Sequence, residues 1–580
     1  MQHLRDLKPA PRLAIPVILG VLFACGDQVA EGNGSLYGSM PALLAKMVLF
    51  AALFVVAFCA GERLIKFLAN RMRRSDVSEG EKDSTSASTL IRYDSSVRNV
   101  LVNGCVIGFC WLPYVFCLYP GVYWSDTSLQ LLMRYGVKAF TDHHPFFDTL
   151  LFGAMADLGK VLFNNAILGL YVLVVIQLIA AILLFAYMTI FLYGLGLSRK
   201  FCHLLLAFFA LFPLFPVMFC SLAKDTISVL FFIPFSMMYV RAFATKGESL
   251  ENARSIVLLF ALTVLSCLTK KAMVYILVPS LVALLFARMS NRAKVAGMTV
   301  GLFAGVLMMV VIPKIVLPAL HIKPGGKQES IPFAIQEVAH DVKYNGDTLS
   351  EKDKKTVSNF LTIKYGNISK AYDWQIADPV KGTSLRDSSL MGEFLRLWLR
   401  QWVKHPMGHF ESWMGLTQGW FSFTNGDGSP SYLVVCTESA WYYDPILTYV
   451  PQWPLKAAHS GAARSIYDAI ESIPVINVLF YRSTWASILP CFLLYLLCAD
   501  GFKGKRFQSF LATTPVVMSF LYLMLVPVSG MGGEPTRYVF QIVCTLPLYY
   551  TQLLSPHGEG AVNFGRRVYV SKEVGEPSLP

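Results

Sequence analysis

The chain has 580 residues, of which 55% are hydrophobic and only 15% charged, whereas soluble domains carry about 25% charged residues. Single cores stop growing near roughly 250–300 residues, so the surplus apolar surface has to face lipid and a wholly soluble fold is excluded. The formal net charge of +13 does not indicate nucleic acid, because the basic residues gather in short segments between apolar runs, such as Arg71, Arg73 and Arg74, or Arg199 and Lys200, as they do in cytoplasmic loops of membrane proteins.

A crossing needs about 20 mostly apolar residues. Twelve such runs are predicted, at 13–30, 41–61, 99–119, 166–194, 201–221, 226–240, 255–269, 272–287, 295–318, 484–501, 508–529 and 538–555. The first is weakened by Asp27, and the pair around Lys270 and Lys271 is short enough to be broken or re-entrant. The expected fold is therefore all-α and polytopic, with a lipid bilayer as its first partner.

Charge gives the orientation. With the N-terminus in the cytoplasm, the cytoplasmic segments hold 25 Lys and Arg and the short outer loops 7. The 16 in 319–483 do not count against this, since long segments translocate regardless of charge. The expected arrangement is a multi-pass protein of the cell membrane with both termini cytoplasmic. It divides into an N-terminal transmembrane hairpin (1–61), a solvated, mobile cytoplasmic linker (62–98), a transmembrane core (99–318), an extracytoplasmic domain (319–483), C-terminal transmembrane helices (484–555) and a cytoplasmic tail (556–580). The core carries the first large outer loop, 120–165, and the 319–483 domain is long enough to hold a core of its own.

The first apolar run lacks a signal-peptide cleavage site. Most of the twelve cysteines lie in apolar runs without a CxxC pair. Cys117 and Cys220, near outer span ends, are either a disulfide or small buried hydrophobes. No internal repeat is visible, which argues against an inverted-repeat transporter.

The first outer loop carries the chemistry. Pro120 and Gly121 end the third span, and Asp126 opens a short helix through Tyr135 whose Leu129, Leu132 and Tyr135 share an apolar face. A second amphipathic surface helix is predicted over Phe146–Phe163. Asp126 stands at the water–lipid boundary beside Tyr123 and Trp124. There its carboxylate is either a general base, its pKa raised by desolvation, or a plain N-cap shared with Ser125. Asp142, His143 and His144 fit the orienting of a substrate hydroxyl better than a metal site. No metal-type spacing occurs elsewhere, so no cofactor is expected, although a divalent metal is left open.

A second, cationic group lies at span ends on the same side: Lys224 and Asp225, Lys270 and Lys271, then Glu534, Arg537 and Tyr538. Charges at membrane depth are costly and tend to be paired or functional. Converging cations fit a phosphate at the bilayer surface, and single lysines fit anchoring to headgroups equally well. In 319–483, Trp374, Trp398, Trp402, Trp413, Trp420, Trp441 and Trp453 suit sugar rings, a core or a membrane belt alike. The four-residue spacing of Trp398 and Trp402 predicts one packed helical face.

Taken in order, these motifs resemble the class C glycosyltransferases, which are multi-span enzymes using polyprenyl-phosphate-linked sugars. The nearest resemblance is to the protein mannosyltransferase and lipid A aminoarabinose transferase branch. The residues that carry it are Tyr119-Pro120-Gly121 followed by Asp126, His144-Pro145 opening the second surface helix, Lys224-Asp225-Thr226, Lys270-Lys271, Asp378-Pro379-Val380-Lys381, His405-Pro406 and Glu534–Tyr538, spread over much of 99–555. The resemblance implies that Asp126 is the base on the acceptor and that the cations hold the donor phosphate. Two departures stand out: Thr127 follows Asp126 where relatives often have a second acid, and lysines stand where arginine is common.

The function expected is transfer of a sugar from a polyprenyl-phosphate donor to a glycan, lipid or protein acceptor of the cell envelope, on the outer face and with inversion. A lipid or polysaccharide transporter or flippase would move its solute without transfer. A lipid-linked glycan polymerase or ligase would deliver a long polymer, and a scaffold would survive loss of Asp126.

Overall fold

The computed structural model describes residues 11–79, 91–93, 95–439, 445–498, 505–525 and 535–554. It is about 76% helical, and the strands among the described residues are two dipeptides, Val122–Tyr123 (β1) and Ser221–Leu222 (β2). The first ten helices are α1 (Ala14–Glu31), α2 (Met40–Glu79), α3 (Val97–Cys117), α4 (Ser125–Arg134), α5 (Phe146–Phe163), α6 (Ala166–Gly194), α7 (Arg199–Leu211), α8 (Leu214–Phe219), α9 (Lys224–Ala244) and α10 (Ala253–Thr269).

Among the described residues, six helical segments are long and apolar enough to cross a membrane: Ala14–Glu31, Met40–Leu68, Val97–Cys117, Ala166–Gly194, Lys224–Ala244 and Asn291–Ala319. This makes the protein an all-α, multi-pass membrane protein. Ala253–Thr269, Lys271–Phe286, Thr484–Leu497 and Thr514–Leu525 fall where further spans are predicted, but as apolar helices of 10–17 residues.

Several expectations change in the structure. The predicted span at 201–221 is broken into α7 and α8, because Pro213 and Pro216 cannot supply the backbone donors a continuous helix needs. Helix α2 continues to Glu79, into the stretch expected to be a linker. That stretch is rich in Arg, Lys, Glu and Leu, and extending a formed helix needs no new nucleus. The rest of the expected linker, residues 80–90, lies outside the described residues. Asp27 does not weaken the first helix: Lys46 of α2 donates to Asp27 Oδ2 and to Glu31 Oε2, both at 2.7 Å. Cys117 and Cys220 form no bridge.

The 319–483 segment is built in two parts. Residues 331–398 gather their own apolar cluster around Ala334, Ile335, Val338, Phe360, Phe394 and Leu397. Beyond that, Met414, Trp420, Phe421, Leu433, Tyr467 and Phe480 enter the main core together with Phe23, Trp111, Phe185 and Phe215. The second part is also tied to the helix ends by backbone bonds, Ala458 N to the Tyr119 carbonyl and His459 N to the Cys117 carbonyl, each at 2.9 Å.

Two features position the first loop. Helices α5 and α6 touch at Gly159 and Gly169, where a Cβ on Gly169 would run into the Met155 carbonyl. Gly121, with φ +102°, turns the chain out of α3 in a conformation that side-chain-bearing residues avoid.

Candidate functional site at the helix ends

The site begins with a backbone register. β1 and β2 pair in parallel, Val122 opposite Ser221 and Tyr123 opposite Leu222. Two residues past Tyr123 the chain enters α4, and two past Leu222 it enters α9. Asp126, in the first turn of α4, and Lys224, the first residue of α9, are thereby delivered side by side. The Thr127 hydroxyl donates to the Leu222 carbonyl at 2.7 Å. Gln177 of α6 donates to the carbonyls of Phe219 and Ser221, both at 2.7 Å, which holds β2 from the other side.

The last described helix, Thr536–Leu554, contributes Arg537. One oxygen of Asp126, Oδ2, accepts from Lys224 Nζ at 2.7 Å and from Arg537 Nη1 at 2.7 Å. His144 Nδ1 lies 3.7 Å from the same oxygen and 3.4 Å from Lys224 Nζ. The three charged side chains are only 13–18% exposed. The Arg537 guanidinium stands over the rings of Trp124 and Tyr538, 5.7 and 5.1 Å from their centroids, an arrangement that holds a cation in place.

The Asp126 carboxyl is not the poised base that desolvation alone would give. Burial pushes its pKa up, but Lys224 and Arg537 outweigh that and hold it well below the usual carboxylate range. Nor is it an N-cap: Trp124 occupies that position without any side-chain cap. Burial, with Lys224 adding to it, pushes His144 down to about 3, so its ring is neutral near pH 7 and Nδ1 can accept.

The remaining predicted residues surround this centre. Lys270 Nζ lies 2.8 Å from Asp225 Oδ1, donates to Gln541 Oε1 at 3.2 Å, and stands over Tyr538 at 5.6 Å. Lys271 points the other way, donating to the Asp142 carbonyl and lying 3.3 Å from Asp142 Oδ2. Burial raises the Asp142 pKa while Lys271 opposes it. His143 Nδ1 is 3.9 Å from Glu329, which pairs with Lys381 at 2.8 Å. Burial lowers the His143 pKa. The structure thus joins Asp126, His144, Lys224, Arg537 and Tyr538 directly, and Asp225, Lys270, Asp142, Lys271 and His143 at their flanks. Glu534 lies outside the described residues.

Sequence reasoning missed Trp124 as a partner of Arg537, Gln541 one turn after Arg537, and Asp148. Asp148 is fully buried, and neither of its oxygens has a hydrogen-bond partner among the described residues. Burial raises its pKa well above the ordinary value against the pull of Lys224, which favours its neutral form. A carboxylate inside the run Phe146-Phe147-Asp148-Thr149-Leu150 was the available signal. Among the described residues, Lys224, Lys270, Lys271 and Arg537 face Asp126, Asp142 and Asp225.

A second charged cluster lies in 319–483. His409 Nδ1 is 3.1 Å from Glu337 and Nε2 is 2.7 Å from Asp341. His340 Nε2 is 3.1 Å from Glu411, whose other oxygen accepts from Leu36 N at 2.6 Å. Burial lowers the His409 pKa, but the two carboxylates win and raise it to about 9. Among the described residues no group of three or more His, Cys, Asp or Glu is arranged to hold a metal ion.

Fold and site together define a multi-pass α-helical membrane protein with a buried, cation-rich centre at the meeting of three helix N-termini and loops. Residues 135–561 match a family of unknown function, DUF6020, and the chain belongs to that family. Asp126 lies upstream of the matched span, while Lys224 and Arg537 fall within it. No curated protein and no solved structure matches the chain.

Proposed function

We propose that this protein is a membrane glycosyltransferase, moving a sugar from a polyprenyl-phosphate donor to a glycan, lipid or protein acceptor of the cell envelope. The observation that carries the reading is one carboxylate held between two cations, Asp126 between Lys224 and Arg537 at 2.7 Å each, where helices end and first-loop residues begin. Twelve crossings with both termini cytoplasmic, as the charge pattern suggests, would set this centre on the outer face.

A polyprenyl phosphosugar is a phosphodiester with a single negative charge, which Lys224 and Arg537 can receive. Its phosphate competes with Asp126 for Lys224 and Arg537. As those contacts pass to the phosphate, the Asp126 pKa rises from its depressed value and the carboxylate becomes able to take a proton. The acceptor hydroxyl gives that proton to Asp126, and its oxygen forms a bond to the anomeric carbon. The bond from that carbon to the phosphate oxygen breaks, and polyprenyl phosphate leaves with the electron pair and one more negative charge. Lys224 and Arg537 stabilise that charge. A single displacement inverts the anomeric centre. Neutral His144, in contact with both Asp126 and Lys224, orients them, and no cofactor enters the scheme.

The test uses purified protein in liposomes with radiolabelled polyprenyl-phosphate sugars and an envelope extract as acceptor, with products identified by mass spectrometry. Protein-dependent appearance of a single added sugar is expected, lost in Asp126→Asn although that variant stays folded and membrane-inserted at the assay temperature. Transfer undiminished by that substitution removes the base, a transferred long polymer shows a polymerase or ligase, and solute movement without transfer shows a transporter.

A further inference from the structure

Besides the crossing helices, one helix of the 319–483 segment has an apolar face that no part of the described chain covers. The Met391–Lys404 helix buries Phe394 and Leu397 in the local core. At 100° per residue a different side of the same helix carries Leu395, Leu399, Trp402 and Val403. Leu399 is 54%, Trp402 48% and Val403 79% exposed. The predicted single packed face through Trp398 and Trp402 is therefore wrong. Trp398 packs inward and donates to Glu337, while Trp402, about 40° further round, points out. Bordering the exposed strip on its other side are Arg396, Arg400 and Lys404, all exposed, with Arg400 paired to Asp353.

The place of this strip identifies what covers it. Just beyond the helix, Lys404, His405 and Met407 share a cavity of about 370 Å³ with Gly34, Ser35 and Tyr37 of the α1–α2 connection. Glu411 binds the Leu36 backbone there. Tyr37 just before α2, and Met40 and Leu44 at the start of a candidate span, are exposed apolar residues. The strip therefore lies beside the mouth of a crossing helix. Residues Met40–Leu68 at about 1.5 Å rise per residue are long enough for the roughly 30 Å hydrocarbon layer, and exposed apolar side chains from Met40 on put the water–lipid boundary near this end.

We propose that the Met391–Lys404 helix is a membrane-surface anchor: Leu399, Trp402 and Val403 enter the headgroup–acyl boundary, and Arg396 and Lys404 meet anionic lipid headgroups. An apolar strip with a cationic border next to a span end is what an interfacial helix requires. The anchor fixes residues 331–404 to the bilayer plane independently of whatever reaction the Asp126 centre performs.

The test places an environment-sensitive fluorophore at Val403→Cys in a Cys105→Ser background of the full chain in lipid nanodiscs, with Lys352→Cys as the water-exposed control. In discs containing phosphatidylglycerol the Val403 probe should emit at shorter wavelength than the control. Shallow spin-labelled lipid should quench it by roughly half or more, as for a boundary-embedded site. Arg396→Glu with Lys404→Glu should reverse much of the shift in anionic discs and little of it in phosphatidylcholine discs, with unchanged thermal unfolding. A Val403 probe that matches the control in every disc overturns the proposal. So does shielding that appears only when two copies share a disc and resists lipid quenchers, which would make the face a protein interface.

Discussion

The Asp126 centre and the His409 cluster are built from the same kinds of groups with the signs exchanged. In the first, one carboxylate lies between two cations, each 2.7 Å away. In the second, one imidazole lies between two carboxylates at 2.7 and 3.1 Å. Their accessibility differs: the Asp126 side chains keep 13–18% of their surface exposed, whereas His409 and Asp341 keep none and Glu337 5%. The closed cluster holds the fold, whereas the more accessible one can exchange an internal partner for a ligand. Burial, rather than residue type, separates the two.

The largest expected effect breaks the comparison from both ends. Asp126→Asn should lower the proposed transfer by about 10²–10⁴-fold, the usual contribution of a general base, and should also lower stability, because it leaves Lys224 and Arg537 without their carboxylate. His409→Leu should destabilise the protein without touching transfer. It leaves two buried carboxylates without their cation, which costs about 3–5 kcal/mol when a buried pair is broken. Denaturant unfolding should register that loss, while the surviving folded fraction keeps its turnover per molecule. If His409→Leu slowed turnover without destabilising the protein, the contrast between the clusters would collapse.

An intermediate effect is pH-dependent. The His409 pKa is raised to about 9, above an unfolded value near 6.5. Its stabilising contribution is therefore complete below about pH 6.5 and fades as pH rises through 9. Amide protection, the exchange rate taken against the intrinsic rate at each pH, should fall across 332–344 and 406–417 between pH 7 and 10. The Asp126 carboxyl is depressed, so its contribution is present above an unfolded pKa of about 3.9 and fades only as pH falls through its folded value. Protection near α4 should not change over that alkaline range.

The smallest effect expected is from Asp148→Asn. Because burial favours the neutral form of this acid, an isosteric amide should change stability by about 1 kcal/mol or less. A larger loss would show that Asp148 is charged in the folded protein and belongs to the ionic centre.

The apolar helices were plain in the sequence because a run of twenty hydrophobic residues has few other uses, and α6 falls at 166–194 as expected. The meeting of Asp126, Lys224 and Arg537 was legible only as a side of the membrane, inferred from where span ends carry charge. What joins them was not. Two-residue strands are too short to show a period of two, so nothing in Val122-Tyr123 or Ser221-Leu222 announces their pairing. The base strength of Asp126 was misjudged for a related reason, since desolvation can be guessed from Tyr123 and Trp124, but two cations nearly one hundred and more than four hundred positions away have no local signature. Trp402 was misplaced because spacing gives a helical face and cannot say what lies against it.

The short ladder between β1 and β2 also governs how the centre can move. Asp126 and Lys224 hang from backbones bonded to each other, so a tilt of α9 carries both along and their separation stays as it was. Arg537 comes from a helix outside that ladder, which makes its guanidinium the member of the trio whose distance can change. Slippage of the ladder by a single step would bring Ser125 or Thr127 to the lysine in place of the acid. The spacing of the centre is thus inherited from peptide groups, and substitutions that keep the side chains but disturb those few bonds should disable it as surely as removing the carboxylate.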